Sequence, residues 1–187
     1  MGTVYTVGHS TRSTEELVNL LREHGVRRLV DVRRYPASRR HPHFGKDELA
    51  ASLGKVGVEY VHIPEMGGRR TASAESPNTA WRSAGVRAYA DHMATPEFRA
   101  ALERLIERAE EQPTAMMCAE AVPWRCHRQL ISDVLVAGGH KVVHILGPGR
   151  SQGHELNADA RVRDDGTLVY PAPEDDQRDL ELGGTSS

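Results

Sequence analysis

Between Cys118 and Arg128 the chain reads Cys-Ala-Glu-Ala-Val-Pro-Trp-Arg-Cys-His-Arg, and this segment holds both of its cysteines. Three chemistries fit these residue types. A cysteine close to a helix N-terminus has its thiolate favoured by the helix dipole, which makes Cys118 a candidate nucleophile. Glu120, His127 or His9 would then move protons as acid or base. Alternatively Cys118, Cys126 and His127, with His9, ligate a metal. The spacing C-x7-C-H is not a standard zinc spacing, so no structural zinc is expected. In the third reading both cysteines are small buried hydrophobes.

A second group follows an apolar run, Leu29 to Val32. Arg33, Arg34, Arg39, Arg40, His41 and His43 crowd into eleven positions, Arg33 to His43. Guanidinium forks match phosphate and carboxylate geometry, so this stripe predicts anion binding. Tyr35 and Phe44 add flat surfaces of the kind single-stranded nucleic-acid sites use. Asp31, at the end of the apolar run, is expensive to bury unless paired, and an arginine is its natural partner. A third group, Gly8-His9-Ser10-Thr11-Arg12, combines a glycine that allows close backbone approach with a coming helix start that favours anions. His62, Glu65, Arg70 and Trp81 extend the same rim.

These groups need elements to hold them, and the chain alternates strand and helix signals. Strands are expected near residues 3–8, 28–33, 58–63, 113–118 and 141–146. Ser13 caps a helix, with Glu16 completing a capping box and Leu17, Leu20 and Leu21 forming its apolar stripe. Lys46 to Leu53 is a short helix and Gly85 to Met93 another. Thr95-Pro96-Glu97 opens a longer one, in which Phe98, Ala101, Leu102, Leu105, Ile106 and Ala109 recur at helical spacing. A last helix is expected over Pro123 to Ala137, with Cys126 and His127 on the buried face of its first turn. Residues 65–84 read as a long loop. After Gly147 the pattern stops, apart from an edge strand at Leu168-Val169-Tyr170. Residues 171–187 are acidic, then Gly/Ser-rich, and read as a disordered tail after a domain of residues 1–170.

Strands alternating with helices predict an α/β fold: a single three-layer domain with a mostly parallel, Rossmann-like sheet of about five strands. With strands one and four adjacent at its centre, their carboxyl ends form the topological switch point where such folds place ligands. The candidate catalytic residues are then Cys118, Glu120, His127 and His9. Ser10, Arg33, Arg39, Arg125, Arg128 and Trp124 are the candidate substrate-binding residues.

Composition narrows the classes further. The chain has 187 residues, a net charge of −2 and arginine as 21 of its 24 basic residues. Residues 1–90 carry 14 Lys+Arg against 9 Asp+Glu, whereas residues 91–187 carry 10 against 17. The basic half is the one with the arginine stripe. Two cysteines cannot build a multi-bridge framework, which points to a reduced, cytoplasmic setting. No signal peptide and no membrane span is read. Walker, G-x-G-x-x-G, H-E-x-x-H and G-x-S-x-G motifs are missing, so no cofactor is assigned.

The pieces Val7-Gly8-His9-Ser10, Asp31-Val32-Arg33, Pro36-Ala37-Ser38, His43-Phe44, Tyr60-Val61-His62-Ile63-Pro64, Gly67-Gly68-Arg69 and Cys118-Ala119-Glu120, with Pro123, Cys126, His127 and Arg128, resemble domain-of-unknown-function family 488. The resemblance spans roughly residues 4–146. It implies a single α/β domain and brings no established reaction. The expectation is an uncharacterised α/β protein, an enzyme acting on an anionic nucleotide or nucleic-acid-like substrate. The alternatives are a non-catalytic nucleic-acid-binding module and a metal-binding protein using Cys118, Cys126 and His127.

Overall fold

The structure is a computed structural model, and it describes residues 2–37, 39–68, 70–71 and 73–173. Residues 174–187, most of the segment expected to be a disordered tail, lie outside the described residues, as do Ser38 and Arg69.

Five parallel strands, β1 (Thr3–Gly8), β2 (Arg28–Asp31), β3 (Glu59–His62), β4 (Thr114–Cys118) and β5 (Lys141–Gly147), form the sheet. A sixth, β6 (Arg150–Gly153), pairs antiparallel with β5, and the order is β3-β2-β4-β1-β5-β6. The expected adjacency of strands one and four holds, with Gly8 paired to Cys118 at their carboxyl ends. β4 is buried throughout. A strand covered on both faces reads as a continuous apolar run, as Thr-Ala-Met-Met-Cys does.

Helices α1 (Thr14–Glu23) and α2 (Lys46–Gly54) cover one face, packing Leu17, Leu20, Leu21, Leu49 and Leu53 against Val7, Leu29, Ala115 and Met117. Helices α3 (Ala84–His92), α4 (Pro96–Glu111) and α5 (Arg128–Ala137) cover the other, where Tyr89, Phe98, Leu105, Leu130 and Ile131 meet Val4, Val30, Met116 and Cys118. This is the three-layer, Rossmann-like α/β arrangement that the alternating pattern predicts. Along β4, Met116 and Cys118 point to the second face and Ala115 and Met117 to the first, the period-two alternation of a strand. Ser13 and Glu16 make the expected capping box, and Thr95 caps α4 with Pro96 in its first turn.

Three expectations are corrected. The helix expected from Pro123 begins instead at Arg128, preceded by a separate 3-10 turn over Pro123–Arg125. Between the two, Cys126 is extended, at φ −140° and ψ 154°, so it lies outside the helix. The pattern does not stop at Gly147, because β6 follows through a turn. Leu168-Val169 forms no edge of the main sheet. It pairs instead with Arg161-Val162 in a two-stranded ribbon. Tyr170 then packs on the second face, donating its hydroxyl to Asp133 Oδ2 at 2.7 Å. Asp133 also accepts from His154 Nε2 (2.7 Å), and His154 Nδ1 lies 2.8 Å from His144 Nε2. The chain after β5 is thereby fastened to α5. No helix among the described residues is long and apolar enough to cross a membrane.

Candidate functional site

Loops leaving the carboxyl ends of β1, β2 and β4 surround a cavity of about 810 Å³. Of the sequence-predicted residues, His9, Ser10, Arg33, Arg39, Cys118, Glu120, Arg125 and His127 line it, and so does Cys126. Trp124 and Arg128 do not. Trp124 projects on the far side of its 3-10 turn, 57% exposed, beside a smaller hollow that includes His144 and His154. Arg128 is fully buried.

Backbone packing brings the loops together. His9 N donates to Cys118 O (3.0 Å) and Ser10 N to Ala119 O (2.9 Å). The contact is close enough that a Cβ on Gly8 would stand 1.6 Å from the Glu120 carbonyl oxygen and 2.9 Å from Ala121 Cα. Gly67 is held in the same way, since a Cβ there would lie 2.4 Å from the Arg34 backbone nitrogen. Ser10 itself has φ +46°, a left-handed conformation that non-glycine residues adopt at a cost and that clusters at functional sites.

On the α1/α2 side of the sheet edge stands the pair anticipated for Asp31. Arg33 donates from Nε to Asp31 Oδ1 (2.9 Å) and from Nη2 to Oδ2 (2.8 Å), a bidentate pair between two buried side chains. Tyr60 adds its hydroxyl to Oδ2 at 2.5 Å, and burial with the Asp31 charge pushes the Tyr60 phenol well up. Arg33 is therefore a buried structural partner as well as a lining residue. Its Nη1 reaches His9 Nε2 at 3.4 Å, while His9 Nδ1 donates to Ser10 O at 2.9 Å. That places the ring proton on Nδ1 and the lone pair on Nε2. Burial lowers the His9 pKa to about 4, against the Ser10 carbonyl and with Arg33 adding to the fall. Phe44, expected as a stacking surface, is fully buried against the His9 and His43 rings.

On the α5 side lie the sulfur atoms. Cys118 and Cys126 are both free thiols, and Cys126 Sγ donates to Cys118 Sγ at 2.7 Å. Burial opposes ionisation of Cys118. The Cys126 thiol, the Arg128 guanidinium and the Glu120 backbone outweigh it and hold the pKa below the ordinary thiol value. Donation to Cys118, together with burial, pushes Cys126 the other way. Arg128 is the cation of this cluster. Its Nη2 donates to Ala121 O at 3.2 Å, but Nε and Nη1 have no hydrogen-bond partner. A buried guanidinium left so is costly unless a counter-charge stands beside it. His127 Nδ1 is 3.5 Å from Cys126 Sγ, and its ring lies tilted against Tyr89 with centroids 4.7 Å apart. Burial lowers the His127 pKa to about 4, so the ring is neutral at physiological pH. Among the described residues no group of three or more His, Cys, Asp or Glu side chains converges as a metal site would require.

A profile of the family described as "Domain of unknown function DUF488" matches residues 13–135. The chain belongs to this family. The DUF488 match covers the Asp31–Arg33 pair, both cysteines, His127 and Arg128, and so takes in most of the cavity. His9 and Ser10 stand just ahead of it. No curated protein and no solved structure matches the chain.

Tyr60, Tyr89 and the start of α3 were not anticipated at the site. Ser83, Gly85, Val86 and Tyr89 form one wall of the cavity. Their only signal was a helix start after a long loop, and nothing in that pattern says which way the helix faces. Tyr60 carried a weaker hint, an aromatic hydroxyl on the strand next to Asp31.

Proposed function

We propose that this protein is an enzyme whose Cys118 thiolate attacks an anionic substrate of nucleotide or nucleic-acid type. One observation carries the reading. Cys118 and Cys126 line a cavity on the carboxyl edge of the sheet, and Arg128, fully buried and outside the cavity lining, leaves two nitrogens unpartnered while its charge favours ionisation of Cys118. A thiolate on Cys118 supplies the counter-charge that Arg128 lacks, and it is the nucleophilic form of the thiol. Cys126 is its hydrogen-bond donor. Glu120, exposed and the only carboxylate lining the cavity among the described residues, exchanges protons with a bound substrate. His9 is held as a neutral ring with its lone pair towards Arg33, and serves to position rather than to donate.

Charge selects the substrate class. Arg33, Arg34, Arg39, Arg40 and Arg125 line the cavity against that single glutamate. Arg39, Arg40 and Arg125 are exposed and remain available for an anion. The test is fluorescence-anisotropy binding of a labelled single-stranded oligonucleotide, with a nucleoside monophosphate as competitor. Wild type binds both, Arg39→Ala/Arg125→Ala loses affinity for both, and Cys118→Ser keeps it. Equal binding by wild type and the double arginine variant would overturn the reading.

One observation favours the non-catalytic alternative. Tyr35 is 60% exposed at the cavity rim with the Arg34 guanidinium 5.3 Å from its ring centroid, a platform on which a base can stack. A module that tracks a nucleic-acid backbone loses affinity steeply with salt. Strong salt dependence for the oligonucleotide, with no competition by the monophosphate, would decide for it.

A further inference from the structure

We infer that Cys118 and Cys126 form a reversible dithiol–disulfide couple, in which Cys118 is the residue oxidised by hydroperoxides and Cys126 the thiol that resolves it. The inference rests on the proposed thiolate at Cys118 and extends it to a modification site.

Three features support it. First, the sulfurs are already 2.7 Å apart, and a disulfide bond is about 2.05 Å long. Closing that gap asks little of the chain at Cys126, which lies in extended backbone between a 3-10 turn and α5 rather than inside a helix. Second, both cysteines line the cavity, so a small peroxide reaches them through it although Cys118 is only 1% and Cys126 8% exposed. Third, the pair is asymmetric. Arg128 and the Cys126 S–H favour charge on Cys118, whereas Cys126 keeps its proton. Redox-active cysteines share this arrangement of a low-pKa thiol beside a resolving one.

The chemistry balances in two steps. The Cys118 thiolate attacks the distal oxygen of a hydroperoxide. An S–O bond forms and the O–O bond breaks, and sulfur gives up two electrons. The alkoxide or hydroxide that leaves takes a proton from solvent, and Cys118 becomes a sulfenic acid. Cys126 sulfur then attacks the sulfenic sulfur, the S–S bond forms, and the sulfenic oxygen departs as hydroxide. The proton from Cys126 reaches that hydroxide to make water. An external dithiol restores both thiols and is itself oxidised to a disulfide. In the oxidised form Cys118 is no nucleophile and Arg128 has no counter-charge, so the couple also turns the proposed site off.

The experiment treats the full chain with hydrogen peroxide at neutral pH, and then maps tryptic peptides without reduction. Arg125 lies between the cysteines, so trypsin separates them and a disulfide joins two peptides, one holding Cys118 and the other running from Cys126 to Arg128. The expected result is that linked pair, lost on treatment with dithiothreitol. In Cys126→Ser the linked pair is absent and Cys118 instead accumulates as a sulfenic acid captured by dimedone. A parallel sample is alkylated with iodoacetamide before any oxidant. Alkylation of Cys118 without a linked pair after peroxide would overturn the couple and leave the thiolate standing. Neither alkylation nor oxidation of Cys118 would overturn both. Identical overoxidation of Cys118 to the sulfinic acid in wild type and Cys126→Ser would show that Cys126 does not resolve it.

Discussion

Arg128→Met replaces the buried guanidinium by an apolar side chain of similar length, and its effect on stability depends on pH through Cys118. Above the free-thiol pKa the wild type holds a thiolate beside Arg128, and the variant strands that thiolate or protonates it. Stranding a buried charge costs about 3–5 kcal/mol. Where Cys118 is protonated, Arg128 is itself the stranded charge, with Nε and Nη1 unpartnered. Replacing such a group with a well-packed apolar side chain is neutral, or stabilising by about 1–4 kcal/mol. The sign follows from linkage. The folded-state pKa of Cys118 is depressed, so its contribution is fully present above the unfolded thiol value of about 8.5 and is lost as pH falls through the folded value. The stability difference, wild type minus variant, therefore rises towards alkaline pH, by at most about 1.4 kcal/mol per pH unit. The assay is urea denaturation of both proteins between about pH 6.5 and about pH 9, a window in which His127 stays neutral. A difference that is flat across this window refutes the coupling of Cys118 to Arg128.

Three other substitutions probe the frame. Gly8→Ala drives a Cβ into the Glu120–Ala121 backbone, which has no flexible side chain to yield, so it loses about 2–4 kcal/mol in urea denaturation and displaces the Cys118 loop. Asp31→Asn removes the charge that Arg33 is buried against and costs about 3–5 kcal/mol by the same measurement. His127→Gln acts on the acid side. A His held to a pKa of about 4 in the folded protein contributes stability above its unfolded value of about 6.5, and that stability is lost as pH falls towards 4. The variant should therefore lose less stability than wild type between those two values, as read from thermal melts at several pH values.

The sheet and the edge that carries the site were legible in the sequence because both rest on local patterns. The capping box at Ser13 and Glu16, the Thr95-Pro96 start of α4 and the apolar runs at the five parallel strands each appear where expected. Asp31 was legible for an energetic reason, since a carboxylate at the end of a buried strand demands a partner and Arg33 supplies it. What failed was non-local. Pro123 looks like the first residue of a helix, but it opens a 3-10 turn, and α5 starts five residues later. That shift swings Trp124 away from the cavity and draws Arg128 inwards. Phe44 has the residue type of a stacking surface, yet it is buried beneath His9. The Arg150–Gly153 strand has no apolar alternation to announce it, because all four of its residues are exposed and pair with β5 through the backbone. The contact between Cys118 and Cys126 depends on that same 3-10 turn, and a separation of eight in sequence does not imply it.

That Cys118 ionises below the ordinary thiol value is tested most directly by its ultraviolet thiolate absorbance, which requires no reagent to enter the cavity. Wild type and Cys118→Ser are titrated side by side in the reduced state, and the difference between them isolates Cys118. The expected result is a difference whose midpoint lies below the free-thiol value of about 8.5 and which disappears on acidification. A difference that emerges only above about pH 8.5 would contradict it.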